Sequence, residues 1–226
     1  MNTFEQLLFS CSEGTIPILE HTFPVSSYVP LDLSVENPHL KDFDITNPIA
    51  CQSYIDSVLR EEDGVVAYGG YLEQRNLYDD KGSFNSSDLQ RNIHLGIDYW
   101  APAGTKVMVP LDGKIHSYKN NNVIGDYGPT IIMEHQFNDL IFYTLYGHLS
   151  LESLKGLSVG MEFSAGSELA TLGTPDINVN YAPHLHFQII KDLQGNMGDY
   201  PGVCSKQHLD FYNINCPDPN LLLKIH

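Results

Sequence analysis

The sequence has few basic residues and no run of them. Twelve Lys and Arg side chains stand against 28 Asp and Glu side chains, which gives a formal net charge of -16 at pH 7. Nucleic acids and anionic membranes are recognised through basic patches. We therefore expect neither a nucleic acid nor a membrane as a partner. No stretch approaches the ~20 consecutive apolar residues of a transmembrane helix.

Cysteines and targeting signals are also scarce. The four cysteines lie far apart and form no Cys-x-x-Cys motif, which argues against a disulfide framework or a cysteine-rich zinc site. The first residues lack the basic and apolar regions of a secretory signal. On this basis a cytoplasmic location with reduced thiols is expected.

The chain is long and apolar enough, at 226 residues and 42% hydrophobic, to bury a core. Its composition predicts an N-terminal extension over residues 1–65, a β domain over 66–192 and a C-terminal tail over 193–226 that packs on the domain. In the β domain, strand-sized runs are separated by turn residues. These runs are 91–99, 106–110, 113–118, 129–135, 140–147, 168–172 and 184–190.

The extension contains signals for one or two short helices. Phe4, Leu7 and Leu8 have helical spacing, and Thr46-Asn47-Pro48 is a start signal for a helix over 49–60. The alternating segment 31–35 is compatible with an edge strand. A polar, Gly- and Ser-containing stretch at 79–90 predicts a loop.

Three short phrases combine metal-binding side chains with apolar, strand-like residues. They are His94-Leu95-Gly96-Ile97-Asp98, Tyr146-Gly147-His148-Leu149-Ser150 and His184-Leu185-His186-Phe187. Alternation along a strand places His94 and Asp98 on one face, with Gly96 leaving room for a neighbouring group. It places His184 and His186 on one face as well, with the apolar residues of that phrase toward a core. The spacing predicts a metal site built on a sheet.

The predicted cluster contains the parts needed for amide hydrolysis. Catalytic zinc takes three protein ligands and keeps one position for water, whose pKa it lowers toward ~7. His94, Asp98 and one histidine of the 184/186 pair supply three ligands. The other histidine and His148 then lie beside the ion, where one can transfer protons and the other can hydrogen-bond an oxyanion. Manganese or iron is also compatible with this set.

The order His-x-x-x-Asp, Tyr-x-His-Leu and His-x-His-Phe resembles the lysostaphin/LytM-type zinc metalloendopeptidases, which cut peptide bonds in peptidoglycan. The likeness covers about residues 90 to 190 and implies a mainly β, compact antiparallel sandwich or barrel-like metallopeptidase domain. It also implies zinc as the cofactor, with His94, Asp98 and His186 as ligands. His148 and His184 become the catalytic histidines, with the base and the oxyanion donor not assigned between them.

Other phrases resemble one intracellular branch of that family, found as a middle module in class III aminotransferase fusion proteins. These phrases are Leu31-Asp32-Leu33-Ser34, Tyr71-Leu72-Glu73-Gln74-Arg75, Tyr143-Thr144-Leu145-Tyr146-Gly147-His148 and Cys216-Pro217-Asp218-Pro219-Asn220. The chain departs from secreted members in having Gln188 where an acidic residue often follows the last motif. A further departure is the segment 176–183, which replaces a Gly/Ser/Thr-rich turn.

The predicted function is a zinc-dependent hydrolase that cleaves an amide or peptide bond, with peptidoglycan-type peptides among the candidate substrates. The alternatives are a non-catalytic metal- or ligand-binding module and a hydrolase of a small cytoplasmic amide. Among the other polar residues, we expect Arg75 to be an exposed cation in a salt bridge, with binding of a substrate carboxylate as the alternative. Tyr146 is a candidate for the groove because it lies two residues before His148. Tyr127 is interpreted as a turn residue, and His135 as structural.

Overall fold

The computed structural model describes residues 1–76, 90–178 and 180–225. The helices in these ranges are α1 Thr3–Ser10, α2 Pro48–Glu61, α3 Leu209–Asn215 and α4 Asn220–Leu223. The strands are β1 Tyr28–Pro30, β2 Val66–Gly69, β3 Ile93–His94, β4 Ile97–Trp100, β5 Lys106–Met108, β6 Gly113–Asn121, β7 Gly128–Phe137, β8 Leu140–Gly147, β9 Glu162–Phe163, β10 Glu168–Thr171, β11 His184–Ile190 and β12 Val203–Cys204. None of the helices in the described ranges has the length and apolar character needed to cross a bilayer.

One eight-stranded sheet dominates the molecule, with the strand order β1-β2-β4-β11-β8-β7-β6-β9. All its pairs are antiparallel except β1 with β2, which makes the sheet mixed. Two small sheets, β10-β5 and β12-β3, lie beside it. The mainly β class is therefore confirmed. The strands of this sheet do not close into a barrel within the described ranges.

The sequence-predicted elements of the β domain are present with adjusted limits. The run at 91–99 is divided into β3 and β4 around Leu95 and Gly96, and the other six runs each contain a strand. The short strands β9 and β12 were not predicted. Apart from Gln90, the predicted loop at 79–90 lies outside the described residues.

Helix α2 confirms the helix predicted for residues 49–60. The Asn47 side chain accepts the backbone N–H groups of Ile49 and Ala50, which otherwise lack partners at a helix start. Pro48 occupies the first turn, where its missing N–H is not needed. The helix buries Tyr54 and Ile55 in a cluster with the edge of the sheet. Helix α1 is likewise present.

The prediction of a strand at residues 31–35 is wrong by a few positions. The extended pairing lies at β1 and ends with Pro30, while Ser34 makes only an isolated bridge with Arg75. The Asp32 side chain accepts the Ser34 N–H and bends the chain there. Leu33 is nevertheless fully buried. The alternation therefore predicted its burial correctly, but it did not predict the secondary structure of this segment.

The extension and the tail are both joined to the central β structure. Strand β1 of the extension pairs in parallel with β2, and β12 of the tail pairs with β3. Helices α1 and α4 also contact each other. The domain limits at residues 65 and 192 stay predictions.

Strand β11 shows how the sheet separates the core from a polar face. Leu185, Phe187 and Ile189 lie in the main hydrophobic cluster, and the alternate residues His184, His186 and Gln188 point away from it. The polar side chains are buried too, so they lie under a second layer rather than in solvent. This face of the sheet carries the candidate site.

His135 on β7 has the structural role that the sequence predicted. It is buried, its Nδ1 lies 3.0 Å from the Asp112 carbonyl oxygen, and its Nε2 lies 2.7 Å from Thr144 Oγ1. Burial lowers the pKa of this imidazole. Both ring nitrogens are thereby occupied within the core.

The packing of α2 against the sheet is testable with two isoleucines on the same helix. Ile55 has no exposed surface and Ile49 is 78% exposed. Replacing Ile55 with Ala should lower the free energy of unfolding by about 2–5 kcal/mol, because apolar contacts are lost and a cavity remains. Ile49→Ala should change it by less than about 0.5 kcal/mol. Denaturant unfolding measures both, and equal losses would contradict the packing described.

Candidate active site

A pocket of about 320 Å³ opens on the polar face of the sheet. The five residues predicted from the three phrases all line it: His94, Asp98, His148, His184 and His186. They come from β3, β4, β11 and the residue after β8. The register of the sheet brings them together because His186 pairs with Asp98 on one side and with Gly147 on the other.

Three donor atoms form a tight triangle on the pocket floor. His94 Nε2 lies 2.8 Å from His186 Nδ1 and 3.2 Å from Asp98 Oδ1, and the last two atoms are 3.1 Å apart. Ligands at 2.0–2.1 Å from a tetrahedral ion would be separated by about 3.3 Å. Within the described ranges, this is the one group of three His, Cys, Asp or Glu residues that could hold a metal ion.

Each imidazole of the triangle has its other ring nitrogen fixed by a hydrogen bond. His94 Nδ1 lies 2.9 Å from the Gly70 carbonyl oxygen, which can only accept, so the nitrogen carries the proton. His186 Nε2 lies 3.0 Å from Gln188 Oε1 and is likewise the donor. The unprotonated nitrogens of both rings therefore face Asp98, as metal binding requires.

The contacts of Gln188 explain why this chain has an amide side chain where secreted members of the resembling family often have an acidic residue. The Gln188 amide nitrogen donates to the Pro201 carbonyl at 3.2 Å, which leaves Oε1 to accept from His186. A carboxylate has no N–H with which to bond that carbonyl. The Gln188 amide therefore hydrogen-bonds both the Pro201 carbonyl of the tail and the His186 imidazole.

Gly96 lies where a larger residue would collide with the site. A Cβ atom placed on it would be 2.6 Å from the Phe187 carbonyl oxygen and 2.9 Å from two ring atoms of His186. The expectation that this glycine leaves room for a neighbouring group is confirmed. Here the neighbour is the His186 imidazole.

The pKa shifts of His94 and Asp98 favour the protonation states that bind a metal cation. Burial and the nearby Arg75 cation lower the pKa of His94 to about 4. Burial alone would raise the pKa of Asp98, but attraction by His94, Arg75 and His184 outweighs it and holds that pKa well below its usual value. At neutral pH His94 is therefore a neutral imidazole and Asp98 an ionised carboxylate, the forms that bind metals.

His148 and His184 lie together beside the triangle. Their ring centroids are 4.1 Å apart, and His184 Nε2 is 4.0 Å from Asp98 Oδ1. The backbone bends at His148, which has a φ of 61°. Burial lowers the pKa of both imidazoles, and for His148 the neighbouring His184 and His186 lower it further. Both rings are neutral near pH 7.

Sequence reasoning did not find two tyrosines of the pocket. Tyr127 lies in the wall, with its hydroxyl 3.5 Å from both His186 Nε2 and Gln188 Oε1. Gly147 and Gly202 leave space for this side chain, since a Cβ on Gly147 would lie 2.6 Å from a ring carbon and a Cβ on Gly202 would overlap the hydroxyl. Tyr181 packs edge-on against His148. Tyr127 is thus a residue of the pocket wall as well as of a turn. Its contacts with Gly147 and Gly202 could not be predicted, because these glycines are distant from it in the sequence.

Two other expectations need correction. Tyr146 does not face the pocket: it is fully buried in the main core, 3.1 Å from Thr144 Oγ1, because the bend at His148 breaks the alternation. Arg75 does form a salt bridge, but the prediction of an exposed cation is wrong. It has no exposed surface, and its guanidinium bonds Glu73 and Asp98.

The region that contains this site is similar to a known protein family. Residues 92–199, just under half of the chain, match the model of Peptidase family M23. No curated protein matches the sequence.

Several solved structures are similar to parts of the chain. The catalytic domain of lysostaphin from Staphylococcus simulans is 24% identical, with 65% of this chain and 88% of that chain covered and a TM-score of 0.39. A zinc-containing peptidase from Vibrio cholerae is 26% identical, with 43% and 27% covered and a TM-score of 0.35. A mutant catalytic domain of the prophage-encoded M23 protein EnpA from Enterococcus faecalis is 22% identical, with 57% and 82% covered and a TM-score of 0.40.

The chain spans about a quarter of the length of the Vibrio cholerae peptidase. The finer resemblance, to the branch found in aminotransferase fusion proteins, stays a prediction. The segment that contains all five predicted site residues coincides with the family match. Residues 92–199 are accordingly similar to Peptidase family M23, and this match supports the predicted enzyme class, a metallopeptidase.

Proposed function

We propose that this chain is a zinc-dependent hydrolase of amide or peptide bonds. The observation that carries the proposal is the triangle of His94 Nε2, Asp98 Oδ1 and His186 Nδ1, with separations of 2.8 to 3.2 Å. Two neutral imidazoles, His148 and His184, stand beside it in the same pocket. A ligand triangle with adjacent proton-transfer groups is the arrangement that metal-assisted hydrolysis needs.

The donor set fits zinc. Two imidazole nitrogens and one carboxylate oxygen form a three-ligand set typical of catalytic zinc sites, and their spacing matches tetrahedral coordination. His94, Asp98 and His186 would hold the ion. When bound, zinc supplies Lewis-acid polarisation of the scissile carbonyl and lowers the pKa of a water molecule to about 7.

His184 has the ring orientation of a general base. Its Nδ1 lies 2.7 Å from the Ala182 carbonyl oxygen and must donate to it. Its Nε2 therefore carries the lone pair, on the side of Asp98, and can accept a proton and return it to the leaving amine. His148 is then the hydrogen-bond donor to the oxyanion that develops on the carbonyl.

Substitutions separate metal binding from catalysis. Asp98→Ala should lose both bound zinc and hydrolysis of a peptide substrate. His148→Ala should keep about one zinc per chain while kcat/KM falls about 10²- to 10³-fold, because the hydrogen bond to the oxyanion is lost and the zinc ligands remain. Elemental analysis and peptide hydrolysis assays measure the two properties on the same preparations.

The exposed His21 provides the control, since His21→Ala should leave both properties unchanged. Full activity in His148→Ala would contradict the assigned mechanism. One zinc per chain with no hydrolysis of any peptide or small amide would instead support the alternative of a metal-binding module.

A substitution at Gly96 tests the packing of the metal-binding triangle without removing any of the three ligands. Gly96→Ala forces the β3–β4 segment away from His186 and should weaken zinc binding at least about tenfold, the loss seen when groups that hold metal ligands are disturbed. Gly14→Ala is the matched control, because a Cβ at that position meets no atom within 4 Å. Zinc competition with a chromogenic chelator gives both affinities, and unchanged affinity in Gly96→Ala would refute the packing.

The pocket favours a short peptide or a small amide over a long polymer. Its volume of about 320 Å³ is at the lower end of the ~300–1,000 Å³ found for ligand pockets. The tail segment 199–203 forms part of its wall. Hydrolysis of a short blocked peptide should therefore proceed with a kcat/KM at least equal to that for the same sequence within a longer chain. Cleavage of the longer substrate alone would contradict this substrate class.

A further inference from the structure

Among the described residues, Arg75 is the largest side chain with no exposed surface, and it contacts Asp98 of the candidate metal site directly. Its Nη1 donates to Asp98 Oδ2 at 2.5 Å, and its Nε bonds Glu73 Oε2. Its Nη2 lies 3.4 Å from the Gly69 carbonyl oxygen. One rigid guanidinium thus spans two carboxylates and the backbone of β2.

The two oxygens of the Asp98 carboxylate have different partners. Oδ1 faces His94 Nε2 and His186 Nδ1, at 3.2 and 3.1 Å. Oδ2 faces Arg75. Because the guanidinium occupies the second oxygen, the first is the one presented to the imidazoles. This division favours a carboxylate that binds through one oxygen in a fixed orientation.

Glu73 completes the charge balance around the guanidinium. A buried cation is costly unless it is paired and hydrogen-bonded, and Arg75 has an anion on each side. Glu73 is itself fixed, because its Oε1 accepts the Leu33 N–H at 3.0 Å. The group Glu73–Arg75–Asp98 therefore carries a net charge of -1 toward a bound cation.

The backbone is shaped to admit the arginine. Gly70 has a φ of 102°, and a Cβ on it would lie 1.8 Å from Arg75 Nη2. The preceding residue, Gly69, pairs with Asp98 between β2 and β4. The Gly70 carbonyl also receives the Nδ1–H of His94. One turn, residues 69–75, consequently holds two of the three triangle residues from behind, and it lies outside the region 92–199 that matches the family.

We propose that Arg75 is a positioning residue for the metal site: its forked guanidinium, anchored by Glu73, holds Asp98 so that Oδ1 faces the ion. The proposal rests on the proposed function, because it concerns the same zinc ligands. Lysine cannot take over this role, since its ammonium is a single point charge without the planar fork that bridges two carboxylates.

The test is the zinc dissociation constant of Arg75→Lys, measured by competition with a chromogenic chelator. Loss of the fork should raise it about tenfold or more, the range for residues that orient metal ligands. Arg60→Lys makes the same change at an exposed arginine of α2 and should leave it unchanged. Arg75→Met should also weaken binding, and Glu73→Gln should weaken it in the same direction with the Leu33 contact kept.

Other outcomes overturn the proposal in distinguishable ways. Unchanged zinc affinity in Arg75→Lys would mean that charge alone suffices, and tighter binding in Arg75→Met would mean that the cation only repels the ion. A lower melting temperature of the zinc-free protein with unchanged affinity would show a purely structural role. If Arg75→Lys does not fold, unchanged affinity in Glu73→Gln overturns it. No zinc binding by the wild-type chain would refute the proposed function itself, and the role of Arg75 with it.

Discussion

The carboxylate of Asp98 is shared between two imidazoles and a buried guanidinium. Its strand, β4, lies between β2 and β11 in the sheet, so the residue paired with it on one side is Gly69 and on the other His186. A shift of either pairing by one residue would turn the side chain to the opposite face. The site therefore depends on the register of three strands, and the apolar cluster beneath them keeps that register.

Segments on both sides of the matched region, residues 92–199, take part in this arrangement. The turn at 69–75 supplies the Gly70 carbonyl to His94 and the guanidinium to Asp98. The tail supplies Pro201, whose carbonyl orients the amide of Gln188. Groups that hydrogen-bond a zinc ligand fix its orientation toward the metal. In this chain, some of those groups lie outside the matched region 92–199. Gly70 precedes it by 22 residues, and Pro201 follows it by two residues.

The sequence was sufficient for the side chains that repeat every second residue and insufficient for contacts made across the sheet. The alternation in the 94–98 and 184–187 phrases predicted the faces of the histidines correctly. Arg75 could not be connected to Asp98, because 23 residues separate them and only the β2–β4 pairing closes that distance. Tyr127 was interpreted as a turn residue because its contacts depend on distant glycines. Tyr146 does not share the face of His148, because the backbone bends at His148 and periodicity does not encode that bend.

The most direct test of the account is the zinc K-edge X-ray absorption spectrum of the zinc-loaded protein. Coordination by His94, Asp98 and His186 predicts four nitrogen or oxygen scatterers at about 2.0–2.1 Å, with the multiple scattering of two imidazoles. The four cysteines are free in the structure, and none belongs to the triangle. A sulfur scatterer at about 2.3 Å, or a shell without imidazole scattering, would contradict this assignment of the metal site.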